Sequence, residues 1–289
     1  MFRSLAIALL MTGATLIAGA ARAAAIDPNS PTSSWTAVFY PTTPDAPGDH
    51  GTGDPEGDIV GDPSNAALYS TFDDAGTPST TDGNIAFRVR MSGDSNPPGW
   101  ENFVTVGLDA GEDALNDIDI YLGADGQGSG DHIGIHDAGA GANTSPSTTT
   151  LTAIPALQWA LTATNFDWSP VDGSIDPGVT NTDFGAEGND FFLSFIVPFD
   201  DIVAQLLLDG ISVDEATAFR YVMGTSTQPN ALNQDVGASS GGWSDTTTWD
   251  VLGAISNPLA PVPTPEPSPL SLVLLGLIGL SAGARRQRR

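Results

Sequence analysis

The chain contains no cysteine and no lysine. The first absence excludes disulfides, thiol nucleophiles and cysteine-based metal sites, so a folded body must be held by burial alone. A chain of 289 residues is long enough for that. The second absence leaves nine basic residues, all arginine. Arg3 and Arg22 lie near one end and Arg285, Arg286, Arg288 and Arg289 at the other; only Arg88, Arg90 and Arg220 lie between. Against them stand 35 acidic residues, all between Asp27 and Glu266. Such a surface repels phosphate backbones and anionic headgroups, which excludes nucleic acid as a partner. It suits either a soluble body in salty water or one that collects divalent cations. Part of the acidity is loop chemistry, because many aspartates sit beside Gly, Asn, Ser or Pro, where a carboxylate caps its own turn.

Long apolar runs are confined to the two ends. Met1-Phe2-Arg3, the apolar stretch 5–20 and Ala21-Arg22-Ala23 make a secretory signal peptide. Cleavage is expected after Ala23 or Ala25, which removes a signal helix at 1–23 from the fold. At the other end Thr264-Pro265-Glu266-Pro267-Ser268-Pro269 precedes an uncharged run, 270–284, and then Arg285-Arg286-Gln287-Arg288-Arg289. A helix over that run spans roughly 22 Å at ~1.5 Å per residue. The hydrocarbon core is about 30 Å thick, so 270–284 is a marginal transmembrane helix. Arginine snorkelling relieves part of the mismatch, and the basic tail at 285–289 sets a cytoplasmic C-terminus.

The order of Pro265-Glu266-Pro267, apolar stretch and Arg-rich end resembles the PEP-CTERM sorting signal of Gram-negative bacteria. The resemblance covers 264–289. It implies a signal peptidase and an exosortase-type enzyme as processing partners, with the membrane as a temporary anchor. It also implies transfer from the inner membrane to the cell surface or an exopolysaccharide matrix.

Between these signals the chain alternates apolar and polar residues in short runs broken by Gly, Pro, Asn and Asp. In Ile85-Ala86-Phe87-Arg88-Val89-Arg90-Met91 the apolar side chains face one way and the arginines the other, the pattern of a half-buried strand. Further strands are expected at 35–40, 67–72, 103–108, 118–122, 132–136, 149–154, 157–164, 191–197 and 218–224. One helix is expected from Phe199 or Asp200 to about Leu208, opened by Pro198 and the Asp200-Asp201 pair and closed at Gly210. The fold predicted is mainly β: a single jelly-roll-like β-sandwich with one short helix. It would occupy 55–256, after an N-terminal strand and linker at 24–54 and before a Pro-rich linker at 257–269. The stretches Gly57-Asp58-Ile59-Val60-Gly61-Asp62, 85–91, Val106-Gly107-Leu108-Asp109 and 219–226 give the body a loose resemblance to CBM9-like and DOMON-like β-sandwiches. Those domains bind sugars or haem, and the resemblance bears on fold alone.

Catalytic patterns are poorly supported. Gly237-Ala238-Ser239-Ser240-Gly241 matches the nucleophile-elbow motif, but no histidine follows His136. His132 and His136 read as one strand, where residues four apart lie about 13 Å from each other at ~3.3 Å per residue. That separation rules out a shared zinc and leaves a surface pair on a sheet face. With 35 acids some carboxylate pair always falls at a catalytic separation, so pairing carries no signal.

Calcium suits the loops better. Asp109, Glu112, Asp113 and Asp117 form one dense set of hard oxygen ligands, and Asp125 with Asp131 brackets a second, Gly-rich one. Neither is an EF-hand. Trp159 alternates with polar neighbours and reads as inward-facing. Trp168, beside Asp167, Ser169 and Pro170, is the exposed candidate for stacking on a sugar ring. Trp100, Trp243 and Trp249 are further aromatics of interest. The chain is therefore expected to be a non-enzymatic structural or adhesive surface protein stabilised by calcium. The alternative is a carbohydrate-binding module for exopolysaccharide; a secreted hydrolase rests only on the carboxylate supply and the Ser239 loop.

Overall fold

The computed structural model describes residues 25–261, apart from 42–44, 52–53, 96–98, 112–116, 128–129, 140, 175, 177–178, 185–187 and 239–246. The signal peptide, Pro265-Glu266-Pro267, the apolar run 270–284, the arginine tail, Glu112, Asp113, Ser239 and Trp243 lie outside the described residues. Among the described residues, no helix is long and apolar enough to cross a membrane.

Among the described residues, eleven strands form two antiparallel sheets: β1 (Thr36–Val38), β2 (Leu68–Asp73), β3 (Asn84–Met91), β4 (Phe103–Asp109), β5 (Ile120–Asp125), β6 (His132–Asp137), β7 (Thr152–Ala160), β8 (Phe166–Pro170), β9 (Phe191–Pro198), β10 (Arg220–Ser226) and β11 (Asp235–Val236). One sheet has the order β1-β2-β3-β9-β8 and the other β11-β10-β4-β5-β6-β7. They pack face to face as a β-sandwich. Ile85, Phe87, Val89 and Met91 of β3 meet Val104, Val106, Leu122, Ile133, Ile135, Phe195 and Tyr221 in one continuous core.

The outer faces are covered as well. On the five-stranded sheet, Ala86 and Phe192 pack under Trp35, Val171 and Val179, which come from the N-terminal strap and the β8–β9 loop. On the six-stranded sheet, Phe103, Tyr121 and Val222 pack under Leu151, Trp249, Ala254 and Ile255. Residues that alternation turns toward solvent are therefore buried under loops. Arg88 is 3% exposed and Arg90 is not exposed at all. Arg88 donates through Nε to Ser194 Oγ at 2.9 Å and through Nη2 to the Pro28 and Ser30 carbonyls at 2.8 Å each. His136, expected at the surface, is 1% exposed and packs edge-on to Phe103.

Two expected strands, 149–154 and 157–164, are one. β7 runs through Pro155 because it is the outermost strand of its sheet, where a missing N–H breaks no ladder. The short strands β8 and β11 went unread. Helix α1 (Phe199–Leu208) follows its signals: Asp200 and Asp201 lie in the first turn, Phe199, Ile202 and Leu206 are buried, and Gly210 turns the chain at φ +83°.

Candidate functional site: a buried carboxylate cluster

The stretch read as a linker, 41–54, carries functional groups into the body. Gly48 turns the chain at φ +81° and donates its N–H to Asp58 Oδ2 at 2.9 Å. Gly51 N–H donates to the Gln234 carbonyl at 2.7 Å, which lays the loop along β11. A short 3₁₀ turn, Pro55–Gly57, then delivers Asp58, and Thr225 of β10 fixes that turn by donating to the Gly57 carbonyl at 2.5 Å. β11 pairs with β10 and brings in Asp235 from the far side of the sequence.

Asp45, Asp49 and Asp235 converge: one carboxylate oxygen from each lies within 4.8 Å of the others. Asp45 is 2% exposed and Asp235 4%. Asp235 has partners, accepting from the Ile59 N–H and the Val236 N–H at 2.7 Å each. Among the described residues, neither oxygen of Asp45 has a hydrogen-bond partner. The Ala238 N–H lies close enough to favour the ionised form of Asp45 but makes no hydrogen bond of normal geometry. Asp58 stands behind the cluster, its Oδ1 3.1 Å from His50 Nδ1. Burial, then the charges of Asp235, Asp49 and Asp58, push the Asp45 carboxyl well above its ordinary range. Burial and then Asp49 do the same to Asp235. Buried carboxylates in contact repel strongly in a medium of low polarity. A proton or a hard cation relieves that repulsion, and oxygen-only ligands on a turning loop are the donor set that hard cations take. A cavity of about 100 Å³ adjoins Asp45 between Tyr40, Gly61, Ala67 and Ala238.

The acids singled out in the sequence sit elsewhere. Asp109 is buried at the end of β4, in register with Arg220. The turn after it is closed by Asp119, whose Oδ2 accepts from the Ala110 and Gly111 N–H groups at 2.8 and 3.2 Å. Asp117 is half-buried and Asp131 exposed. Asp125 closes its own turn by accepting from the Gln127 N–H at 2.8 Å, and burial raises its pKa. Among the described residues, Asp109, Asp117, Asp125 and Asp131 belong to no group of three convergent ligands.

Of the aromatics, Trp100 and Trp249 are core residues, at 8% and 0% exposure. Trp168 is half-buried on β8, stacked on Phe191 at 4.9 Å between ring centres, with Nε1 donating to Asp94 Oδ2 at 3.2 Å. Trp159 is half-buried and packs against the core, and it also lines an open cleft of about 550 Å³ with Asp27, Asp73, Asn84 and Asn165.

Sequence reasoning missed Asp45, Asp49 and Asp235. A signal exists in retrospect: Asp45 and Asp49 flank Pro47-Gly48, a turn that folds two carboxylates onto one side. Comparison with family models, curated proteins and solved structures gives no match for the chain.

Proposed function

We propose that the chain is an exported, non-enzymatic protein of the cell surface or extracellular matrix, with a structural or adhesive role. The observation that carries this reading is the pair of signals bracketing one acidic β body: the leader at 1–23, and Pro265-Glu266-Pro267 with its apolar run and arginine tail. The protein would be held at the inner membrane while the tail is recognised, then released outward. Deleting 264–289 is expected to send soluble protein into the medium, as fractionation would read. Unchanged retention at the surface would overturn the sorting claim.

A second reading, carbohydrate binding, draws support from the Trp159 cleft. Its volume suits one or two sugar rings, and it pairs an aromatic wall with amide and carboxylate groups. Its acidity favours neutral glycans over anionic ones. Binding of a neutral matrix polysaccharide that is weakened by Asn84→Ala would support this reading; binding weakened only by Trp168→Ala would move the platform to β8. No binding across a broad panel of neutral glycans would remove it.

A further inference from the structure

We propose that Asp45, Asp49 and Asp235 hold one calcium ion, which clasps the 45–51 loop to the edge strand β11 and so ties the two sheets together along one border. The inference stands apart from the sorting reading and places the ion away from the acidic loops that the sequence favours.

Convergence of three carboxylates is the first observation. The second is the state of Asp45. Other buried acids in the body have partners: Asp190 has Arg90, Asp235 has two backbone N–H groups, and Asp58 has the Gly48 N–H and His50. Asp45 is 2% exposed, with both oxygens lacking a hydrogen-bond partner and one of them turned into the cluster. Burying a bare carboxylate is unfavourable unless a proton or a charge of opposite sign neutralises it. Among the described residues no arginine supplies it, because Arg88 is committed to Ser194, Arg90 to Asp190, and Arg220 stands opposite Asp109. A third observation adds neutral donors. The side-chain oxygen of Gln234 is buried without a partner, and it lies 3.4 Å from where a Cβ on Gly51 would sit, against the same loop. The Tyr40 hydroxyl, also buried without a partner, lines the cavity beside Asp45.

Calcium fits this set better than magnesium. Three oxygens within 4.8 Å of one another can share one calcium ion, whose ligands stand ~2.4 Å from it. Magnesium draws its ligands closer, demands a regular octahedron and keeps most of its waters. A closed site on an irregular loop suits the ion that dehydrates readily and tolerates mixed carboxylate and carbonyl ligands. Position gives the ion its role. Asp45 and Asp49 belong to the connection leaving β1 of one sheet, and Asp235 to β11 at the border of the other. Among the described residues the loop is tied by the Gly51 N–H to the Gln234 carbonyl, the Gly61 N–H to the Asp45 carbonyl and the Gly48 N–H to Asp58, and an ion would add a carboxylate fastening to β11.

The test uses the full chain in detergent, freed of metal by a chelator and titrated with calcium in a calorimeter, with magnesium and matched sodium chloride as controls. One ion per chain is expected, with a melting temperature that rises with calcium and not with the controls. Amide exchange in 45–51 and β11 should slow on binding, with little change in β5 and β6. Asp45→Asn and Asp235→Asn should each weaken binding at least tenfold, while Asp131→Asn leaves it unchanged. Asp49→Asn, at a less buried position, gives the same reading should the buried variants fail to fold. An equal rise with any salt would overturn the proposal, since that is charge screening. So would calcium binding that survives Asp45→Asn and Asp49→Asn but is lost in Asp125→Asn.

Discussion

Replacing Arg90 by methionine is expected to destabilise the body by about 3–5 kcal/mol, the cost of leaving one member of a buried ion pair behind. Arg90 and Asp190 are both fully buried. Arg90 reaches Asp190 Oδ2 through Nε at 2.7 Å and Nη2 at 2.5 Å, and Nη2 also donates to the Asn181 carbonyl. The guanidinium lies 4.5 Å from the ring centre of Phe184. It therefore fastens the 181–190 segment to β3 by charge, hydrogen bond and ring contact together. Methionine keeps much of the volume and none of the charge. Asp190, whose carboxyl burial already holds above its usual range, would then be an unpaired acid in the interior. Denaturant unfolding of Arg90→Met against the parent chain reads the loss. The double change Arg90→Met with Asp190→Leu should recover most of it, because both charges are then gone. A loss under about 1 kcal/mol for the single change is the surface-pair value and would contradict the burial.

The second large effect depends on pH. Burial, helped by the nearby His132, pulls the His136 imidazole down from 6.5 to about 4. The folded state thus keeps this ring neutral where the unfolded chain protonates it. Between those two values the unfolded state binds more protons, so stability rises with pH. On acidification the loss begins near pH 6.5 and is complete below about pH 4. The gap corresponds to roughly 3 kcal/mol at one pKa unit per 1.36 kcal/mol. His136→Gln removes the titrating group. The difference in stability between parent and variant should be flat above pH 7 and move against the parent by that amount on the way to pH 4. Parallel curves over the whole range would mean that His136 is solvated.

How much of this was legible can be seen on β3. Its apolar positions, Ile85, Phe87, Val89 and Met91, were readable because a period of two is fixed by backbone geometry. Its polar positions misled, because Arg88 and Arg90 look solvent-facing until the Trp35 strap and Val171, Val179, Asn181 and Phe184 fold over them. No local pattern announces that cover. His136 misled for the same reason. The helix at Phe199–Leu208 was legible to within about a residue because its start and stop signals are local. The carboxylate cluster was illegible: Asp45 and Asp49 sit in a Pro/Gly stretch that reads as linker, and Asp235 lies on a two-residue strand far along the chain. Density of acids near Asp109 and Asp125 suggested ligation. Among the described residues, Asp119 Oδ2 and Asp125 Oδ1 accept from backbone N–H groups of their own turns, and the convergence at Asp45, Asp49 and Asp235 comes from tertiary pairing of distant segments.

The body's cations leave one further mark. Proteases that cut after lysine or arginine need an accessible, extended segment around the cut. Here the body offers no lysine, Arg88 and Arg90 are sealed inside β3, and Arg220 opens β10, half-buried and paired with Asp109 of β4. Each candidate bond is shielded until strands separate. Digestion of the folded body by a low concentration of such an enzyme should therefore follow the small population whose sheets are open, and the clipping rate becomes a gauge of the unfolding equilibrium.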